Sequence, residues 1–400
     1  MASVILSAVR TPIGKFLGGL SDLSAPRLGS VVIAEAVSRA KLETTAIDEV
    51  IFGNVVQAGV GQAPARQAAL AAGLPETIAA VTINKVCGSG LKAVILADQV
   101  IRSGDASIIV AGGMESMSQA PFLLPAIRKG YSYGDRVAVD ALVRDGLRCP
   151  FEDWAMGDAA EALSDRCAIS RAEQDGFAAQ SHQRAAAAWE SGAFKSEVIP
   201  VSVGTGSKAR VIAKDEGIRP ETTVDSLATL KTVFRADNGS VTAGNASQLS
   251  DGAAAVIVAS ESAAATLGRK PLARIIASAT SGVPPREIFL APVLAIRQVL
   301  SRAELTLEEI DLFEINEAFA VQMIACEREL GLDHDRVNVH GGAVAIGHPI
   351  GASGARVLVT LIHALHRHQA RYGLASLCLG GGNAVAMIIE RIGEVESTIV

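Results

Sequence analysis

A chain of 400 residues is longer than one hydrophobic core usually sustains, so two or more domains are expected. With 49% hydrophobic but only 4% aromatic residues its core is aliphatic, and a net charge of -6 with no basic runs excludes the usual nucleic-acid binder. No apolar run reaches membrane-spanning length, MASVILSAVRTPIGKF lacks the regions of a signal peptide, and five cysteines without zinc-type spacing fit a reduced, cytoplasmic protein.

Along the chain, helix-period stretches alternate with short Val/Ile-rich runs such as ASIIVAGG and AVIVAS. That alternation predicts an α/β fold in which helices pack on mostly parallel central sheets. The pattern occurs twice. SRAKLETTAIDEV (38–50) returns as SRAELTLEEIDLF (301–313), an offset of 263. CGSGLKAVILADQVIRSGDASIIVAGG (87–113) has the layout of 351–381, and its Ser89 lies 264 residues before Ser353. Two homologous halves follow, 1–268 and 269–400. The first carries an insertion over about 118–246 that has no counterpart and reads as loops and polar helices, a lid rather than core. Equivalent loops, those of Cys87 and Gly351, should then face a shared crevice.

In chain order, the first chemical candidate is Cys87, at the head of a glycine run that opens a helix. A lone cysteine is often a small buried hydrophobe. At a helix N-terminus, unpaired amides and the dipole would instead lower its pKa, and Gly88 and Gly90 would leave room for a substrate. Gly88, Gly90 and Ala93 also spell GxGxxA. A dinucleotide site is set aside because no acidic residue ends a second strand about 20 residues on. Asn316 and Glu317, in EINEAFA, end an apolar strand at the duplicate of the Asn54 position, where buried polar groups need partners. His348, in GHPIG, sits three residues before the duplicate of Cys87 and is the candidate base. Cys378, in ASLCLGGGNA, enters a turn whose amides suit an oxyanion hole. His182, His334, His363, His366 and His368 read as solvated.

In order, VCGSG, AGGMESMS, NEAFA, GHPIGASGAR and CLGGG resemble the thiolases, and among them the acetyl-CoA acetyltransferases, over nearly the whole chain. The resemblance implies the thiolase fold and a reversible Claisen condensation of two acetyl-CoA through an acyl-cysteine, with coenzyme A thioesters as substrates and no metal or other cofactor. It implies Cys87 as nucleophile, His348 as its base, and Cys378 as the α-carbon acid/base. Asn316 (through water) with His348 would form one oxyanion hole, and the amides of Cys87 and Gly380 the other. Ser247 would touch the pantetheine arm and Arg219 the nucleotide, with Met156, Phe319 and Ala246 completing the substrate site.

The chain departs from the family pattern at His340, at Asn383 and Ala384 in place of GGGMG, at IFLAPVLA (288–295), and at Ala155 before Met156. These changes surround the acyl pocket. They keep a degradative 3-ketoacyl-CoA thiolase as the near alternative and a non-catalytic acyl-CoA-binding protein as a remote one. The second cysteine argues against the ketoacyl synthases, which share the two-half fold. Residues 120–147 resemble the segment that joins dimers into tetramers, so a homotetramer is expected. Arg128, Lys129 and Arg136 of that segment would add positive charge near the coenzyme A entrance.

Overall fold

The protein was analysed as a computed structural model that describes residues 2–206 and 209–393. The strands of the main sheet are β1 (Ser3–Arg10), β2 (Glu49–Gly53), β3 (Ala79–Ile83), β4 (Ile108–Ser116), β5 (Ser250–Ser260), β6 (Ala273–Gly282), β7 (Leu312–Ile315), β8 (Tyr372–Leu379) and β9 (Asn383–Arg391). The helices used below are α1 (Ala25–Arg39), α2 (Ser89–Ser103), α3 (Met156–Cys167), α4 (Arg171–Glu190), α5 (Ala291–Ala303), α6 (Ala320–Leu330) and α7 (Ile350–Arg367).

The strand order β7-β8-β9-β6-β1-β5-β4-β2-β3 is symmetric about its middle. β7-β8-β9-β6 repeats β2-β4-β5-β1, and the halves join where β1 meets β6 through Val4–Arg274 and Ile5–Ala273. Each half continues one place further: β3 pairs with β2, and the bridge Phe313–Val337 stands at the matching place. The α/β class and the duplication are therefore as expected. Parallel pairing is found at the outer strands, β2 with β3 and β4, and β7 with β8. The inner pairs run antiparallel. β9 follows β8 after only the Gly380–Gly382 turn, and a connection that short reverses the chain rather than crossing over.

Both faces of the inner strands are covered, so β1 and β5 are buried at every position and show no polar alternation. Helix α1 packs on the outer face of the first half, and α5 and α6 on that of the second. Between the halves lie α2 and α7, which share one core with the inner faces of both halves of the sheet. Every residue of α7 except Arg367 is buried.

The two central helices touch backbone to backbone at their glycines. A Cβ at Gly90 would lie 2.6 Å from Ala355 N, and one at Gly354 2.3 Å from Leu91 N. A Cβ at Gly88 would come within 2.3 Å of Leu379 Cδ2. The glycines after Cys87 thus make room for protein, not for substrate as the sequence suggested. That is why Ser-Gly recurs in both halves.

Two further expectations change. Within 118–246 the first part is mostly exposed, but α3 and α4 carry buried Ala159, Ala160, Leu163, Ala178, Ala179 and Ala185. Arg10 of β1 is fully buried and bonds Glu197 at 2.6 Å and Asp215 at 2.7 Å, which fastens this region to the core. Nor are all the remaining histidines solvated: His182, His363 and His366 are buried. His363 and His366 lie on the enclosed α7, where their Nε2 atoms reach Ala8 O and Leu272 O. His368, just past α7, is exposed and His334 half-buried.

Candidate active site

Cys87 sits in the link between β3 and α2, directly after Val86, whose φ is +47°. A β-branched residue rarely adopts that left-handed backbone, so the turn has to be held from several sides. Val86 N donates to Asn84 Oδ1 at 2.9 Å, Lys85 N donates to Ser89 Oγ at 2.8 Å, and Ser89 Oγ donates to Val86 O at 2.7 Å. The result presents the half-buried Cys87 thiol to the Gly380 amide, which opens the β8–β9 turn.

Burial pushes the Cys87 thiol up to about 12; the Gly380 amide and its own amide oppose this, and the Glu115 carboxylate adds to it. The sequence led us to expect a lowered pKa at the helix start. Desolvation of the sulfur outweighs the amides, so the resting group is a thiol that needs a base.

His348 supplies a base of the right form. It is buried, and desolvation, with the Arg356 guanidinium, pushes its pKa down to about 3, so the imidazole is neutral. Its Nδ1 lies 2.6 Å from Ser353 Oγ, and that hydroxyl donates to Pro349 O at 2.9 Å. With the hydroxyl proton so engaged, Nδ1 carries the ring proton and Nε2 keeps its lone pair. Nε2 faces Asn316 Nδ2 at 3.4 Å. Asn316 is fully buried at the end of β7, its N–H donating to Ser376 O, and its Oδ1 has no partner. A buried orphan acceptor beside this imidazole is a place for a bound water, which can donate to it and to a substrate oxygen at once.

Cys378, near the end of β8, is buried with its pKa raised well above the usual thiol range, first by desolvation and next by the Cys87 charge. Its own backbone amide opposes the shift but does not prevail. Its packing partners are apolar: Ile288, Phe289, Phe319 and Met156 belong to the same cluster. Phe289 and Phe319 meet edge to face with centroids 5.4 Å apart. The first residues of the divergent segment, Ile288, Phe289 and Leu290, therefore share a cluster with the second cysteine, whereas Ala291 and Ala295 belong to the core under α5.

Of the remaining expected residues, Ala246 bridges Phe319, and Ser247 N donates to Ala318 O at 3.0 Å, so this strip lies beside Asn316. Met156 begins α3 and, with Val86, Gly380 and Gly381, lines a cavity of about 810 Å³. Its other wall is formed by residues 144–153, including Arg144 and Arg148. Arg219 is apart from that cavity; its backbone is held by His182 Nδ1 and its residue is exposed.

The sequence reading missed Glu115, in AGGMESMS. It is fully buried at the end of β4 and accepts Asn54 Nδ2 at 2.8 Å, Val55 N at 3.0 Å, Val56 N at 3.3 Å and Gly351 N at 2.9 Å. It thus ties the first half to the first turn of α7, just past His348. Glu317, whose partners the sequence left open, accepts Ser181 Oγ, Asn338 Nδ2 and Val344 N. Ser353 was visible only as half of a repeated Ser-Gly; its hold on His348 needed the fold.

Comparison with known proteins shows the family. The family description "Thiolase, N-terminal domain" matches residues 3–262, and "Thiolase, C-terminal domain" matches 269–391. The chain is 52% identical over 390 residues to the acetyl-CoA acetyltransferase of Escherichia coli (strain K12), covering 97% of this chain and 99% of the relative. It is 49% identical over 389 residues to a probable acetyl-CoA acyltransferase of Staphylococcus epidermidis (strain ATCC 35984), covering 97% and 98%. A solved structure, Acat5 thiolase from Ascaris suum in complex with coenzyme A, superposes with a TM-score of 0.92 at 45% identity, over 98% of this chain and 100% of that one. Duplicated halves, a cysteine at the head of each half's Gly-rich link or turn, and these full-length likenesses agree: the chain belongs to the thiolase family.

Proposed function

We propose that the chain is an acetyl-CoA C-acetyltransferase, condensing two acetyl-CoA to acetoacetyl-CoA and CoA, and running the reverse thiolysis. The observation that carries this is the nearness of two thiols, the half-buried Cys87, whose charge acts on the other, and the buried Cys378, with the Gly380 amide on Cys87. A simple acyl-cysteine hydrolase needs only one of them.

In the first half-reaction His348 Nε2 takes the Cys87 proton as sulfur attacks the acetyl-CoA carbonyl; the tetrahedral oxyanion collapses and expels the CoA thiolate, which takes its proton from Cys378, leaving a Cys378 thiolate beside a protonated His348. The acetyl group is then a thioester on Cys87, close in energy to the one it left, so transfer runs either way and gives ping-pong kinetics. The thiolate that serves as the second base thus forms only as Cys87 is acylated, which orders the two steps. Cys378 then removes the α-proton of a second acetyl-CoA. The enolate oxygen is met by Asn316, through a water at its orphan environment, and by His348. The carbanion attacks the acyl-Cys87 carbonyl, whose oxygen receives the amides of Cys87 and Gly380; the adduct collapses to acetoacetyl-CoA and the Cys87 thiolate, which takes its proton back from His348. One such donor is worth about 3 kcal/mol.

The Ascaris suum relative in complex with coenzyme A supports CoA as the carrier; in this reading Ser247, Ala246, Phe319 and Met156 lie along its arm and Arg219 near its nucleotide. A homotetramer is supported by exposed Phe122, Leu124, Ile127 and Val137 on the 120–147 segment. No helix among the described residues is long and apolar enough to cross a membrane, which agrees with a cytoplasmic enzyme. The Staphylococcus epidermidis relative is named a probable acyltransferase rather than an acetyltransferase, and degradative cleavage of longer 3-ketoacyl-CoA is the second reading.

Thiolysis rates with acetoacetyl-CoA, its 2-methyl derivative and a long-chain 3-ketoacyl-CoA, with Cys87→Ala as blank, test both. Preference for four carbons upholds the acetyltransferase. Preference for the long chain moves the chain to the degradative class, and no rate above the blank sinks the mechanism.

A further inference from the structure

The two amide donors assigned to the acyl-thioester oxygen lie on segments 293 residues apart in sequence, at Cys87 and Gly380. Neither segment is regular. Val86 is held at φ +47°, and Gly380 is followed by Gly381 and Gly382 at φ +81° and +83°. A glycine turn has more conformational freedom than any other, so its amide is not fixed by local backbone preference. Donors of an oxyanion hole act only if they are already in place, within about 3 Å of the developing charge. Something must hold the two segments in register.

We infer that Lys85 and Asn383 are positioning residues that lock the nucleophile loop to the glycine turn. Lys85 Nζ donates to Asn383 Oδ1 at 3.2 Å. Lys85 stands two residues before Cys87, and Asn383 three after Gly380, so this one contact links the flanks of both donors. The far end of the link is rigid. Asn383 begins β9 and pairs with Leu379 across the turn and with Gly282 on the neighbouring strand. The near end is rigid too, because the Lys85 amide is bound to Ser89 Oγ in the first turn of α2. Between them Val86 packs directly on Gly380, where an added Cβ would lie 3.1 Å from Val86 Cγ1.

The ammonium is half-buried, and burial draws its pKa down. A lysine needed only for solubility would extend into water; this one gives up hydration to reach a side-chain amide on the other catalytic segment. Its charge-assisted bond resists sliding of the turn past the loop.

The inference rests on the acyltransferase reading for the hole itself, so its test carries one readout that does not. Lys85→Met, Asn383→Leu, the double variant and Asn383→Asp are purified and their melting temperatures compared. Thiolysis of acetoacetyl-CoA gives kcat and the KM for CoA, and mass spectrometry gives the rate of Cys87 alkylation by iodoacetamide. Each single variant is expected to lose on the order of tenfold in kcat with KM unchanged. The double variant should be no worse than either single one, and Asn383→Asp should keep near-full kcat. The alkylation rate should show the same non-additive pattern. Additive effects, unchanged kcat and alkylation in folded single variants, or an Asn383→Asp as poor as Asn383→Leu would overturn the positioning role. Non-additive alkylation in a protein without thiolysis would uphold the link and remove the acyltransferase reading alone.

Discussion

Replacing Ser353 with alanine deletes one hydroxyl and touches no substrate, yet it should disarm His348. In the native protein the Ser353 hydroxyl donates to Pro349 O and leaves its lone pair for His348 Nδ1–H at 2.6 Å. Both residues are buried, so no water replaces the lost acceptor, and an unsatisfied buried N–H costs ~1–3 kcal/mol. The ring escapes that cost by moving its proton to Nε2. There it faces Asn316 Nδ2, another donor, and has no lone pair for the Cys87 proton. Restoring the productive tautomer then costs ~1.4–2.8 kcal/mol, which lowers kcat roughly 10- to 100-fold. KM for CoA should hardly change. Because burial already keeps His348 neutral, with a pKa near 3, the defect is tautomeric, and raising the pH from 6 to 9 should not relieve it. Steady-state thiolysis of acetoacetyl-CoA across that range, with a melting curve to establish folding, is the assay. A kcat within about twofold of wild type, or a loss that disappears at high pH, would refute the assignment of the proton to Nδ1.

Three other outcomes are expected. Burial raises the Glu115 carboxyl from its usual 4.5 to about 7, so the folded protein binds that proton more tightly than the unfolded chain. Its stabilisation is complete below pH 4.5 and fades as pH rises through 7; relative to Glu115→Gln, wild type should lose roughly 2 kcal/mol between pH 5 and 8. Asp251, also raised, and Cys87 are the titratable groups that act on or are acted on by it, and they remain in both proteins; parallel melting-temperature profiles would contradict this. Gly90→Ala should destabilise by ~1–3 kcal/mol, since its Cβ would meet the Ala355 backbone nitrogen at 2.6 Å and backbone cannot step aside cheaply. A variant melting at the wild-type temperature would return Gly90 to the role of clearing space for substrate. Arg219→Ala should raise KM for CoA about fivefold at unchanged kcat, the size of one exposed ionic contact; an unchanged KM would take Arg219 out of the nucleotide site.

Much of the site could be read without a structure because duplication marks it. Cys87 and Gly351, Ser89 and Ser353, and Asn54 and Glu317 occupy equivalent places, and the chemistry-bearing residues cluster at those strand ends and helix starts. What misled the reading was local context. A cysteine before a helix suggested a lowered pKa, but the solvent its sulfur loses is a property of the whole fold. Histidines in a polar-looking helical stretch suggested solvent, but α7 is wrapped by sheets on both sides. Glycines near a nucleophile suggested substrate space, but they face another helix and a strand. Glu115 carried no signal of its own, because its four donors come from residues 54–56 and from 351.

By itself the sequence determined the class of fold, the duplication, and the residue types that acyl transfer through a cysteine requires. These follow from periodicity, spacing and side-chain chemistry, which are local properties of the chain. The tertiary structure alone decided which protons those residues hold. His348 is neutral with its proton on Nδ1, and both thiols are protonated at rest, because burial and hydrogen-bond partners drawn from distant segments set those states. It also decided that Lys85 reaches Asn383 across 298 residues, a contact that exists only once two halves fold against each other.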